Sequence, residues 1–375
     1  MVPRRILVIA EGQLGDLLLL TPALRALKTS FPSCHLSVLV VARRGTLPAS
    51  LTPERPVLGP LAQNWNNPLA TNPHVDSLYL LDRPFLRSLR GFRRVTAEFA
   101  VVRFLRERHF DTVISTFPED RFAIYAYVSG AAVRVGQRDQ PLRLLFTRAP
   151  AVRKDDAGVR TYYLRLVREI GARVTREETE YAVPSDAKRW AGSTLRRAGV
   201  RKAERLILIH PGATGAYKIW PPERFAKLAG RLKRLPHTRV AVCFGPEDGP
   251  VLDIMRTTLS PRVIEVDTGG HVARLAALMQ RCTLCITNDS GPRHLAVAAG
   301  TSSLALFRSH HDREWKVYRE AITCATMQGK GTCPVCPPDR CLDRIPPHEK
   351  FGGYCIRMIS VEEVVTKAKE ILRAI

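Results

Sequence analysis

Ile6-Leu7-Val8-Ile9-Ala10 is a continuous apolar run near the start of the chain, the pattern of a short strand buried on both faces. A polar, glycine-containing turn occupies 11–16; Leu17–Lys28 then repeats apolar groups at helical spacing, and Leu36–Val40 is a second apolar run. Strand, turn, helix and strand make a βαβ opening, and parallel strands joined in this way imply an α/β domain. The pattern returns after residue 200. Leu206–Ile209 predicts a strand, Pro222–Leu235 a helix with Phe225, Leu228, Ala229 and Leu232 on one face, and Val240–Phe244 the next strand. Val272–Gln280 and Pro292–Ala299 read as helices on either side of a strand at Thr283–Thr287. Between the halves, Arg176–Arg197 is polar and contains Pro184, which puts the linker there and the domains at 1–185 and 186–375. Two doubly wound domains meeting at a cleft are expected. Ala49–Asn72, rich in Pro, Asn, Leu and Thr and without periodicity, predicts a long loop over one face.

Composition supports two globular domains: 375 residues are too many for one ordinary core, and 45% hydrophobic with 25% charged residues excludes disorder as the main state. Charge adds something new. Lys and Arg number 58 against 35 Asp and Glu, a formal charge of +23, and 46 of the 58 are Arg. Residues 1–190 carry +11 and residues 191–375 carry +12, so the excess is not a polybasic tail of the nucleic-acid type. It reflects either genomic base composition or a partner rich in phosphate or carboxylate, which suits the planar fork of Arg. No run approaches the roughly 18 apolar residues of a membrane span. The apolar run after Arg4-Arg5 is too short for a secretory signal, so a cytoplasmic location is expected. Five of the nine cysteines crowd into 324–355 rather than spreading as a disulfide framework.

Three turns each follow a predicted strand and precede a helix, the positions where open α/β sheets bind ligands. In Gly12-Gln13-Leu14-Gly15-Asp16, the Asp16 carboxylate sits where it would stabilise the helix dipole or, in a cleft, act as a general base. In the turn from Pro211 to Lys218, small residues leave N–H groups open, Thr214 offers a hydroxyl and Lys218 a point charge for phosphate. This is not a Walker A sequence. In Asn288-Asp289-Ser290-Gly291-Pro292-Arg293-His294 the backbone would meet a diphosphate, or Asp289 or Ser290 would cap the helix, and both can hold together. The chain has no Asp-x-Asp pair to hold a diphosphate-bound metal; Lys218 and helix N-termini would have to neutralise such a leaving group.

These turns, in this order, resemble glycosyltransferase family 9, the ADP-heptose:lipopolysaccharide heptosyltransferases. The likeness runs from Ile6–Ile9 and Leu14-Gly15-Asp16 through Thr21–Arg25, Asn72–Asp76 and His210–Ala213. It continues in Lys218-x-Trp220-Pro221 and is most specific in Asn288–Pro292 with His294. The resemblance implies a GT-B fold of two Rossmann-like domains facing a central cleft, the acceptor on the first and the nucleotide sugar on the second. It implies an inverting, metal-independent transfer of heptose from ADP-heptose to a lipopolysaccharide inner-core acceptor, an anionic glycolipid of the lipid A-core type. No cofactor is required for catalysis on this reading, and the protein would work peripherally at the cytoplasmic face of the inner membrane. Asp16 matches the catalytic base. Thr214 and Lys218 match donor-phosphate ligands; Asp289, Ser290, Gly291 and His294 match the loop that holds diphosphate and heptose. Glu247 matches a ribose-binding carboxylate, a place Asp248 could also fill. The chain departs from the family at Ala10, where many members carry Arg, and at Arg293, where Met is common.

Two further patterns stand outside those turns. Arg83, Arg87, Arg90 and Arg94 fall on one stripe of a predicted helix, either a solvated face or an acceptor-binding contact with an anionic glycolipid or membrane surface. Cys333, Cys336, Cys341 and Cys355 have ligand-like spacing for a structural zinc or iron centre, although reduced thiols in a Pro-rich loop would give the same pattern. Some protein-directed heptosyltransferases are said to hold iron in this region, which keeps a protein or other non-lipopolysaccharide acceptor open as an alternative. A basic, non-catalytic nucleic-acid-binding module is the alternative of another class, but the chain lacks interleaved aromatic platforms, so no nucleic-acid partner is expected.

Overall fold

In the computed structural model, residues 2–42, 58–60, 67–151, 158–308, 324–329, 333, 335–336 and 342–375 are described. Two units divide the chain, Met1–Thr179 and Glu180–Ile375. The first opens with β1 (Arg5–Glu11), buried at every residue after Arg5, α1 (Leu14–Ser30) and β2 (His35–Val41). β1 and β2 pair in parallel, Ile6 opposite Leu36. α1 starts three residues before the apolar periodicity suggests. Leu17, Leu18, Leu19 and Leu20 are all buried, so protein covers this helix on several sides instead of along one stripe.

β3 (Leu58–Pro60) and β4 (Ser77–Leu81) pair antiparallel, so the segment read as a long loop contains a short edge strand; its residues 49–57 and 61–66 lie outside the described residues. Next come α2 (Arg83–Ser88), α3 (Gly91–Glu107), β5 (Thr112–Ser115), α4 (Asp120–Val128), β6 (Val133–Val135) and α5 (Val159–Arg168). The sheet order is β3-β4-β2-β1-β5-β6, parallel except at β3. β1 has β2 on one side and β5 on the other, so the chain reverses its direction of winding at the carboxyl end of β1.

The second unit holds α6 (Ser185–Arg197), β7 (Arg205–His210), α7 (Pro222–Leu232), β8 (Thr238–Phe244), α8 (Gly249–Arg256) and β9 (Ile264–Asp267). It continues with α9 (Val272–Met279), β10 (Leu284–Asn288), α10 (Gly291–Ala298), β11 (Ser303–Phe307), β12 (Cys324–Gln328) and α11 (Val361–Ala374). All its pairings are parallel, in the order β12-β11-β10-β7-β8-β9. The polar stretch read as a linker is largely α6. Its Ala187, Ala191 and Leu195, spaced by four, bury one narrow stripe and leave the charged residues outside. Here the winding reverses at β7, between β8 and β10. The core under this sheet is one cluster that includes Ile207, Trp220, Phe225, Ile286 and Ile371. Burying each such side chain contributes about 1.5–3 kcal/mol. Among the described residues no helix is long and apolar enough to cross a membrane.

Candidate active site

In the first unit the turn after β1 is shaped by close backbone approach. Gly12 N–H donates to the Val41 carbonyl at 2.9 Å, and a Cβ there would lie 2.7 Å from the same oxygen. Only glycine lets the chain pass so near β2 and enter α1 directly. Asp16 then falls in the first helical turn, 3% exposed, with the positive end of the helix behind its carboxylate. The Tyr163 hydroxyl, on α5, donates to Asp16 Oδ1 at 3.1 Å. Burial, followed by the Asp16 charge and this hydrogen bond, holds the Tyr163 phenol well above its ordinary pKa, so it stays a donor. Thr116, just past β5, donates its hydroxyl to the Ile9 carbonyl at 3.1 Å and ties the neighbouring strand end to the same edge. A buried carboxylate held by a neutral donor in the first turn of a helix is equipped to accept a proton from a hydroxyl.

The arginine stripe does not survive as one surface. The helix expected through Arg83–Arg94 is two helices, α2 and α3, broken at Leu89 and Arg90, with Gly91 at φ +53°. Arg90 has an extended backbone at the start of α3, so the i, i+4, i+7, i+11 register is lost. Arg83 is buried, pairs with Glu119 and lies over the Phe122 ring at 5.9 Å, which makes it a packing residue. Arg87, Arg90 and Arg94 are exposed.

In the second unit Asn288, the last residue of β10, organises two turns. Its Oδ1 accepts from Trp220 N–H at 3.0 Å, and its Nδ2 donates to the Pro211 carbonyl at 2.6 Å. The turn 211–218 is thereby pinned at both ends. Gly215 takes φ +102° within it, and Trp220 anchors it through its indole N–H to the Ile359 carbonyl at 3.0 Å. Thr214 is exposed and Lys218 half-buried. Glu247 is exposed as well. Asp248 is occupied differently: its Oδ2 accepts from Gly245 N–H at 2.8 Å.

Past β10, Asp289 is buried, and its Oδ2 has no hydrogen-bond partner among the described residues. Burial raises the Asp289 carboxyl pKa, against the opposing pull of Lys218, Arg293 and Arg308. Ser290 occupies the N-cap position of α10, but its hydroxyl reaches the Asn288 carbonyl at 3.4 Å and makes no cap bond. Gly291 opens the helix, half-buried, and His294 lies one turn further in. Burial, then the Arg293 and Lys218 charges, keeps the His294 imidazole well below its ordinary pKa and neutral. Arg293 is 1% exposed and stacks over Phe307 at 4.5 Å; Arg308 is 2% exposed, stacks over Tyr217 at 4.6 Å and pairs with Asp343. Lys218, Arg293 and Arg308, the last also paired with Asp343, thus all pull electrostatically on one buried carboxylate at the carboxyl end of β10. Such a concentration of cations suits a polyanionic ligand.

The sequence reading missed Tyr163, Asn288 as an organiser, and Arg308. Tyr163 sits at an ordinary apolar helical position and Arg308 directly after a buried strand, so neither carried a local signal. Asn288 stood in the quoted motif without a role.

Among the cysteines, Cys333 and Cys355 are buried, and Cys336 accepts from Leu342 N–H at 3.3 Å through its Sγ. Among the described residues no three His, Cys, Asp or Glu side chains converge to hold a metal; Cys341, one of the four thiols whose spacing suggested a zinc or iron centre, lies outside the described residues.

Two doubly wound units, with a buried carboxylate at one switch point and cations at the other, have the architecture of GT-B glycosyltransferases. The chain belongs to glycosyltransferase family 9 (heptosyltransferase), whose family model matches residues 99–335. It is 22% identical over 311 residues to lipopolysaccharide heptosyltransferase 3 of Escherichia coli, covering 80% of this chain and 83% of that protein. A glycosyl transferase family 9 structure from Veillonella parvula DSM 2008 has a TM-score of 0.78 at 21% identity, covering 99% of this chain and 98% of the other. The structure of E. coli ADP-heptose lps heptosyltransferase II has a TM-score of 0.70 at 16% identity, covering 99% of each chain.

Proposed function

We propose that this enzyme transfers heptose from ADP-heptose to a lipopolysaccharide inner-core acceptor, with inversion and without a catalytic metal. The observation that carries the reading is the combined electrostatic pull of Lys218, Arg293 and Arg308 on buried Asp289 at the carboxyl end of β10. A departing nucleoside diphosphate develops negative charge at the leaving oxygen, and fixed cations in a site with little water stabilise it strongly. Three side-chain cations take the part that a divalent ion plays elsewhere, the basis for reading transfer as metal-independent. The backbone at Ser290 and Gly291 lies against the diphosphate, Thr214 donates its hydroxyl to a phosphate oxygen, and neutral His294 hydrogen-bonds the sugar. The free Asp289 Oδ2 accepts from a sugar hydroxyl, and Glu247 accepts from the ribose.

On the acceptor side Asp16 takes the proton of the attacking hydroxyl. The hydroxyl oxygen bonds to the anomeric carbon from the face opposite the diphosphate as the carbon–oxygen bond to phosphate breaks, which inverts the centre. Tyr163 holds the Asp16 carboxylate in one orientation throughout. Heptose and lipopolysaccharide as substrates are supported by the family and by the named relatives; such an acceptor puts the enzyme at the cytoplasmic face of the inner membrane.

Calorimetric titration with ADP, UDP and GDP tests the donor half. ADP should bind at least about tenfold tighter than the other two, a difference of about 1.4 kcal/mol. Equal affinities, or a preference for UDP or GDP, would overturn the donor assignment.

A further inference from the structure

α3 carries apolar residues on two opposite faces, and only one of them meets the core. Val101 and Leu105 face the core, while Phe92, Val95 and Phe99 are 80%, 49% and 69% exposed. Their spacing of three and four places them on one face, on the pole opposite Val101. Two exposed phenylalanines and a valine over two turns form a contiguous apolar strip rather than the scattered single residues common on surfaces.

Charge surrounds this strip. Arg87, Arg90, Arg93 and Arg94 are exposed at its N-terminal end, and Arg103 and Arg106 lie beyond Phe99. The acidic groups of α3 are both engaged: Glu98 accepts from the Tyr125 hydroxyl at 2.7 Å and pairs with Arg121, and Glu107 pairs with Arg103. Arginines around aromatic side chains are the complement of an anionic lipid surface. Rings enter the headgroup boundary while guanidinium groups meet the phosphates. A carbohydrate acceptor would need polar partners, which the strip lacks, and a second copy of this chain would bring the same positive charge against itself.

We propose that α3 docks the enzyme on an anionic membrane, inserting Phe92, Val95 and Phe99 at the headgroup level with the surrounding arginines on lipid phosphates. This deepens the proposed function by naming the element that meets the membrane, and its test is independent of transfer. The full chain is mixed with phosphatidylcholine vesicles, with and without phosphatidylglycerol, and sedimented in the absence of donor. Wild type should bind only the anionic vesicles. F92S/F99S should bind them at least about tenfold more weakly, since each ring contributes buried apolar area, and F92L/F99L should recover most of the loss. All three should give the same circular dichroism and the same transfer to a detergent-dispersed acceptor, because neither ring is buried. Binding of F92S/F99S equal to wild type would overturn the proposal, as would equal binding to neutral vesicles. So would a wild-type dimer that F92S/F99S converts to monomer, which would assign the strip to self-association. Vesicle binding as expected without transfer from any ADP-sugar would instead refute the proposed reaction and leave the docking element standing.

Discussion

Replacing Asn288 with Ala should destabilise the second unit by about 2–6 kcal/mol and weaken ADP binding with it. The side chain is fully buried and serves two groups that no solvent can reach, the Trp220 N–H and the Pro211 carbonyl. Truncation leaves both unsatisfied, at about 1–3 kcal/mol for each buried polar group. That loss is a large share of the 5–15 kcal/mol typical of a folded domain. It also frees the turn that carries Lys218, so that cation loses its fixed position. The assay is urea denaturation followed by circular dichroism, with and without ADP, paired with calorimetric titration of ADP. Thr287→Val one residue earlier is the control. Thr287 Oγ1 is buried with no hydrogen-bond partner among the described residues, so its replacement should be neutral or slightly stabilising. A loss below about 0.5 kcal/mol for Asn288→Ala, or equal effects at 287 and 288, would refute the claim that Asn288 holds the two turns together.

Two other outcomes follow from the site. Tyr163→Phe removes the donor to Asp16 and should lower turnover several-fold, leave ADP affinity unchanged and cost about 1 kcal/mol of stability; steady-state kinetics at unchanged turnover would refute the positioning role. His294 gives a pH signature. Burial holds its folded pKa well below the ordinary 6.5, so between those two values the unfolded chain binds a proton that the folded chain does not. The stability it contributes is full above about pH 6.5 and is lost as pH falls below it, at up to about 1.4 kcal/mol per pH unit. Denaturation at several pH values should therefore show a shallower acid loss for His294→Gln than for wild type, and an unchanged slope would contradict the buried neutral imidazole. His210, held low by the same burial, keeps part of the slope in both proteins.

Elements with strong apolar runs were legible in the chain to within a few residues: β1, β2, β7 and β10 are buried on both faces, and their sequences say so. α6 was hidden because its apolar stripe is made of Ala187, Ala191 and Leu195, too small a signal against its charged faces. The basic stripe misled because helical spacing counts residues but does not detect the break at Leu89 and Arg90. At the site, residues inside the quoted turns were readable because glycine, proline and carboxylates punctuate a strand end. Tyr163 was not, since it meets Asp16 across 147 residues of chain. Arg293 and Arg308 look like ordinary members of an arginine-rich composition until the fold buries both beside Asp289. The +23 charge therefore has at least one local cause at the carboxyl end of β10.

The claim that Asp16 activates the acceptor hydroxyl is tested most directly by Asp16→Asn. Purified wild type and variant are given ADP-heptose and a heptose-deficient inner-core acceptor, and the product is followed by mass spectrometry. Wild type should add one heptosyl residue. The variant should bind ADP with the same affinity and turn over at least about 100-fold more slowly, the contribution expected of a general base. Transfer by the variant at the wild-type rate would contradict the account.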